Sequence, residues 1–304
     1  MKATHARYKE IMDQDCTLLR LRGELTDEKT GVPWEVMLKP IRENTVFITR
    51  NGMQSEVFVK NVACCKVVEI EATEASTVSA LLMLGLEIFR FENLFEGCFF
   101  PIMSCECDGE EHITDVKRFF LEYYLSGKRY ACFLIKFKDQ TYKYLFDNWC
   151  KLSEELDIIH QAFLFSTYLM TPVDLGMSLL LQVFEPIADK LDKEGTIEIG
   201  EPQPYFKDKL KAVIEKYGRD IFKGEDKCEI IRRAVKLRNR MFHIDLDAKN
   251  YMTGEQSGFY IYKFSMLYRY IILRMLGLDD AILHGKIIAY VAELNRRYPQ
   301  CRIQ

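Results

Sequence analysis

Arg238, Asn239 and His243 fall within six consecutive residues, Arg-Asn-Arg-Met-Phe-His. These side-chain types suit the cleavage of an RNA backbone. A neutral imidazole takes the proton of a ribose 2′-hydroxyl, and an imidazolium returns one to the departing 5′-oxygen. A guanidinium beside it holds the phosphate and stabilises charge growing on its oxygens. No metal is required, and a 2′-hydroxyl nucleophile restricts the reaction to RNA. The same residues also fit a plainer reading, a solvated basic helix end with a capping histidine.

The element that must position them runs from Asp226 to about Phe242. Ile230, Ala234, Leu237 and Met241 recur at helical spacing and form its expected buried stripe. Lys227, Arg232, Arg233, Lys236, Arg238 and Arg240 occupy the other faces, opposed only by Asp226 and Glu229 at the start. Acids there suit the helix dipole, and Asp226 with Glu229 resembles a capping pair. The far end is therefore strongly basic, and Lys236, Arg240 and Arg233 are candidate RNA-binding residues. At about 100° per residue, Asn239 and His243 share a face, with Lys236 and Arg240 flanking it. Arg238 stands roughly 140° from His243 on an ideal helix, so Arg240 is the nearer arginine.

The chain has 304 residues and a formal net charge of −3. That charge excludes a protein that coats nucleic acid through bulk charge, so any RNA contact must be a local basic patch. Ten cysteines without zinc-ribbon spacing, and no apolar leader after Met1, predict reduced thiols and a cytoplasmic location. The longest apolar stretch, 259–276, contains Lys263, Arg269 and Arg274, and so reads as a core helix and not as a membrane span.

The patterning predicts an α+β chain of two domains, a mainly antiparallel β-rich domain over 1–147 and an all-α domain over 148–304. Strands are expected around Leu19–Leu21, Trp34–Leu38, Thr45–Arg50 and Met53–Val59, the last two joined through Asn51-Gly52, a type I′ hairpin signal. Further strands are expected at Phe119–Tyr123, Arg129–Lys138 and Thr141–Phe146, giving a small sandwich or curled sheet. Residues 75–110 are ambiguous, with a short helix possible over Thr77–Leu86. Five or six helices follow. They are Asp147 to about Met170; a helix opened by Thr171-Pro172 and kinked or ended near Pro186; Tyr205–Phe222; the Asp226 helix; one capped by Thr253 and Gln256 and stopped at Gly277; and Asp280–Arg297.

Arg-Asn-x-x-x-His at a helix end, inside a helical bundle, resembles the HEPN superfamily, whose motif is Arg, four to six residues, then His. The resemblance covers about residues 150–304. A β-rich half followed by such a bundle further resembles the ApeA-like branch, associated with antiphage defence. It implies a metal-independent endoribonuclease, needing no cofactor, with His243 as acid and base, Arg238 holding the phosphate and Asn239 positioning. It also implies a homodimer whose two motifs line one cleft, with RNA as partner and with a trigger or inhibitor protein as a further expected partner. Many HEPN domains are not nucleases, so a non-catalytic module that dimerises or binds RNA is the alternative. The β-rich half would then sense a trigger or bind a partner.

Other clusters carry weaker cases. Cys105, Cys107 and His112 lack zinc-finger spacing and read as an acidic surface turn. Cys64 and Cys65 read as one buried and one outward thiol. Asp245 and Asp247 read as loop acids, and His160 and His284 as structural. The aromatics Trp34, Phe47, Phe58, Phe89, Phe91, Phe99 and Phe100 read as core.

Overall fold

The computed structural model describes residues 9–24, 42–50, 52–61, 65–97, 100–116, 137–169, 171–200, 204–242, 249–252 and 254–304. The chain divides into two compact units, Met1–Leu152 and Ser153–Gln304.

The first unit contains six strands, β1 (Asp15–Glu24), β2 (Arg42–Arg50), β3 (Met53–Asn61), β4 (Cys65–Thr77), β5 (Ile102–Cys107) and β6 (Glu110–Glu111). They form one antiparallel sheet in the order β2-β3-β4-β1-β5-β6. Alternation sets the faces: Leu19, Leu21, Val57, Val59, Val68 and Ile70 are buried, whereas Arg20 lies out and pairs with Glu69 at 2.7 Å. The expected hairpin is present, closed by the Arg50–Met53 pair, with Gly52 at φ 82°. The expected strands over 34–38 and 119–123 lie outside the described residues, as does 129–136 of the strand expected over 129–138, whose last two residues are not in a strand.

A helix crosses this sheet. Helix α1 (Val78–Glu96) begins at Thr77, whose hydroxyl accepts the Ala80 N–H at 3.2 Å, and ends at Gly97 in the left-handed region. It is nearly twice as long as the segment the sequence suggests. The reason is that it is buried on nearly every side, so it shows no amphipathic period. A short helix, α2 (Ile113–Val116), follows β6.

Thr141–Phe146 is not a strand. It belongs to α3 (Asp139–Tyr168), which starts two turns before the expected Asp147. Tyr142, Tyr144 and Phe146 alternate as in a strand, whereas Tyr142, Leu145, Phe146 and Trp149 are spaced for a helix, and burial decides for the second set because Tyr144 is exposed. All four of the second set are buried, and the Phe91 ring of α1 lies 5.3 Å from both Tyr142 and Phe146. The Trp149 indole N–H donates to Glu87 at 3.1 Å.

Cys16 and Cys107 are joined as a disulfide, which corrects the expectation of ten reduced thiols. A register shift in β1 directly follows Cys16, between it and Leu18. The Asp108 carboxylate accepts the Thr17 and Leu18 N–H groups at 3.1 and 2.8 Å, which satisfies the donors that the bulge leaves free. A location argued from reduced thiols is not carried by this pair.

The second unit is helical among its described residues. After the rest of α3 come α4 (Val173–Lys193), α5 (Phe206–Tyr217), α6 (Lys227–Phe242), α7 (Gly254–Met275), α8 (Asp280–Arg297) and a 3₁₀ turn at Pro299–Cys301. No helix among the described residues is long and apolar enough to cross a membrane. Pro172 stands at the N-cap of α4, one position earlier than expected, with no side-chain cap. Pro186 does not end that helix. It lacks an N–H for the Gln182 carbonyl, but Val183, Phe184, Ile187, Ala188 and Leu191 are buried on both sides of it and carry the helix through. Helix α5 stops at Gly218, short of the expected Phe222. The capping box expected at the start of α7 rests on Thr253 and so lies outside the described residues. The Gly254 N–H donates to Asp174 of α4 at 3.2 Å, and Gln256 accepts from Arg233.

Helix α7 is the core of this unit, and α4 packs against α5, α6 and α7. Two charged side chains of α7, Lys263 and Arg269, are fully buried. Lys263 donates to Glu225, which also accepts the Tyr260 hydroxyl at 3.0 Å and the Arg302 guanidinium at 3.3 Å. Burial pushes the Lys263 pKa down, and Glu225 opposes that shift. Removing one partner would leave a buried charge uncompensated. Lys263→Ala should therefore cost about 3–5 kcal/mol in urea unfolding, and Lys263→Met combined with Glu225→Leu should recover a large part of it. A loss no greater than that of an ordinary surface substitution would show that the cluster carries no stability.

Candidate functional site on the basic helix

Helix α6 has the boundaries its sequence predicts. Asp226 accepts the Glu229 N–H at 3.0 Å, as an N-cap should. Glu229 does not complete the capping pair. Its carboxylate turns along the helix and binds Arg232 and Arg233, the latter at 2.6 Å, and these hydrogen bonds push its pKa down to about 2. Ile230, Ala234 and Leu237 form the buried stripe, joined by Ile231, whereas Met241 is 36% exposed and Phe242 42%. The stripe thus ends one turn before the helix does, and the helix leaves the core at the motif.

The cations expected to form one basic patch are distributed among different neighbours. Arg233 binds Glu229 and donates to Gln256 of α7 at 3.3 Å. The Lys236 ammonium donates to the Lys249 carbonyl at 3.1 Å. The Arg240 guanidinium lies 4.8 Å over the Tyr251 ring. Arg238 points to a different side, as ideal helix geometry requires. Its Nη2 donates to Gln182 at 2.8 Å and Glu185 at 2.6 Å, both on α4, and its guanidinium lies 4.3 Å over Phe206. Its side chain is only 14% exposed, and Nε is buried without a hydrogen-bond partner among the described residues. Lys209 of α5 also approaches Glu185, at 3.6 Å, and pairs with Asp189 at 2.7 Å.

Asn239 is half-buried at the last turn. His243, Asp245 and Asp247 lie outside the described residues. The structure therefore adds Gln182, Glu185, Phe206 and Tyr251 to the surroundings of the motif. None of them is flagged by motif spacing; the sequence shows Glu185 only as the residue before Pro186.

The remaining candidates are structural. Cys107 is disulfide-bonded, and His112 donates its backbone N–H to the Cys105 carbonyl at 2.7 Å. Cys16, Cys107 and Asp108 lie close together, but the Asp108 carboxylate is occupied by Thr17 and Leu18. His160 hydrogen-bonds the buried Tyr268 hydroxyl at 3.0 Å, and His284 meets Asp220 at 3.1 Å on the surface. Phe89, Phe91 and Phe100 are core, and Phe47 is 65% exposed.

Glu229 provides a pH test. Its folded pKa, about 2, lies below the ordinary 4.5, so its contribution is fully present above about pH 4.5 and is lost as pH falls towards 2. The melting temperature of Glu229→Gln should lie below that of the wild type at neutral pH, and the gap should close between those two values. A gap independent of pH would show that the Arg232–Glu229–Arg233 fork contributes nothing through charge.

Residues 177–282 match the family described as Apea-like HEPN. The match begins inside α4, ends in the first turn of α8 and contains the whole motif. No curated protein and no solved structure matches the chain. The helical C-terminal part of the chain therefore carries an Apea-like HEPN domain.

Proposed function

We propose that the chain is a metal-independent endoribonuclease of the HEPN type, acting as an effector in antiphage defence or as a toxin. The observation that carries this reading is the position of Arg238-Asn239-x-x-x-His243, inside the Apea-like HEPN match and at the end of a basic helix that emerges from the core. In the proposed reaction His243 takes the 2′-hydroxyl proton. The 2′-oxygen bonds to phosphorus as the bond from phosphorus to the 5′-oxygen breaks, and an imidazolium protonates that 5′-oxygen. A 2′,3′-cyclic phosphate and a 5′-hydroxyl result. Asn239 positions the phosphate, while Lys236, Arg240 and Arg233 attract the backbone.

Arg238 would hold the scissile phosphate. Glu185 and Gln182 both bind through its Nη2, so a phosphate would be held through Nη1. Glu185 is thus a positioning residue, fixing the fork before substrate arrives. A homodimer with two motifs facing one cleft suits this chemistry, because one imidazole can act as base while the other acts as acid.

A non-catalytic, RNA-binding or dimerising module is the second reading. It is favoured by the Arg238–Glu185 ion pair and the Phe206 stack, which give Arg238 a structural role independent of substrate.

Incubation with RNA in EDTA separates the two. The wild type should cleave in chelator, leaving cyclic phosphate ends, and His243→Ala should lose about two to four orders of magnitude. Glu185→Gln should lower kcat more than it raises KM while leaving RNA binding intact. Equal, negligible cleavage by wild type and His243→Ala, with any activating partner present, would favour the non-catalytic module. Cleavage abolished by EDTA would instead point to a metal nuclease.

A further inference from the structure

A cavity lies in the helical unit, formed by α7 and the turn after α8. Its volume is about 250 Å³, and of the seven residues that line it three are aromatic, Phe259, Tyr262 and Tyr298, beside Glu255, Gly258, Gln300 and Cys301. Phe259 and Tyr298 are separated by 6.5 Å between centroids with their planes at 66°, so they form two steeply inclined walls. Among the described residues, Glu255, exposed in the first turn of α7, is the one carboxylate of the lining, and no Lys or Arg lines the cavity.

This combination selects for positive charge on an organic body. Aromatic faces attract cations through the ring quadrupole, and a carboxylate at the rim adds a direct attraction while an anion would be repelled. The Phe259 ring already receives one ammonium, that of Lys263, 4.9 Å from its centroid, and Glu225 balances that charge. The volume falls below the range of roughly 300–1,000 Å³ typical of drug-sized ligands, and suits a single cationic head on a short stem.

The walls are held from both sides. Tyr298 closes α8, and the chain after it is fastened by the Ile303 N–H, which donates to the Tyr260 hydroxyl at 3.0 Å. Glu255 precedes Gln256, which accepts from Arg233 of the motif helix. The cavity is therefore built from fixed elements and shares the first turn of α7 with the basic helix.

We propose that this cavity is a binding site for an organic cation, a guanidinium or quaternary ammonium head, caged by Phe259, Tyr262 and Tyr298 and paired with Glu255. The two sources of such a head are an arginine side chain of a partner protein and a small free quaternary amine.

The test is a ligand-observed NMR titration of the full chain with choline and with N-acetylarginine methylamide, using the uncharged carbon isostere of choline and adenosine as controls. At least one cation should bind, and the isostere and adenosine should bind at least about five-fold more weakly. Glu255→Gln and Tyr298→Ala should each weaken the cation by a similar factor, whereas Tyr298→Phe, which keeps the ring, should stay within about two-fold of the wild type. Both positions are exposed enough for substitution without unfolding, which circular dichroism would verify. Preference for the arginine probe assigns the site to a protein partner, and preference for choline to a small amine. Equal binding of the isostere, preference for adenosine, absence of cation binding, or unchanged affinity in both Glu255→Gln and Tyr298→Ala would overturn the proposal.

Discussion

The helical unit is organised around one buried carboxylate. Glu225 sits in the turn between α5 and α6, fully shielded from water, and its two oxygens are met by Lys263, Tyr260 and Arg302. A carboxylate in that position is tolerated only if its partners are complete, since an uncompensated buried charge costs several kcal/mol. Tyr260 and Lys263 belong to α7 and Arg302 to the segment after α8, so satisfying one side chain fixes three segments at once. Asp226, the cap of the motif helix, follows directly, and its N–H donates to the Ile303 carbonyl at 3.0 Å. The start of α6 is thus determined by electrostatics, and its direction by the buried stripe of Ile230, Ile231, Ala234 and Leu237.

With the start fixed, the other end is free to carry polar chemistry. The helix leaves the core near Met241, and each flanking cation takes a nearby partner: a carboxylate for Arg233, a carbonyl for Lys236, aromatic rings for Arg238 and Arg240. These contacts lower the field that six cations on one helix would otherwise produce, and they hold flexible side chains in defined places. A helix that looks in sequence like a bare basic surface is in the fold a set of oriented donors.

How much of this was legible in the sequence depends on how local each interaction is. The β2–β3 hairpin, the limits of α6 and those of α8 are written in neighbouring residues, through Asn51-Gly52, Asp226 and Asp279-Asp280, and they match. The full length of α1 is not, because a helix buried on all sides loses the period that reveals helices. The first turns of α3 carry aromatics compatible with two periods, and only the Phe91 contacts decide. Pro186 signals a break that burial overrides. Around the motif, the sequence supplies Arg238, Asn239 and His243 but not their neighbours. Gln182 and Glu185 lie more than fifty residues upstream of Arg238, and Cys107 lies 91 residues from Cys16. Pairings of that kind are properties of packing, which a single sequence does not display.

The anchoring of Glu225 has a consequence for biosynthesis. Proteins emerge from the ribosome N-terminus first. The motif helix is made well before Arg302 and Ile303, yet those two residues supply part of the bonding that holds its first turn. A nascent chain therefore carries the complete Arg-Asn-x-x-x-His sequence for many residues of elongation while its helix lacks its final fastening. The first turn of the motif helix is therefore fully bonded only once residues 302 and 303 have left the ribosome.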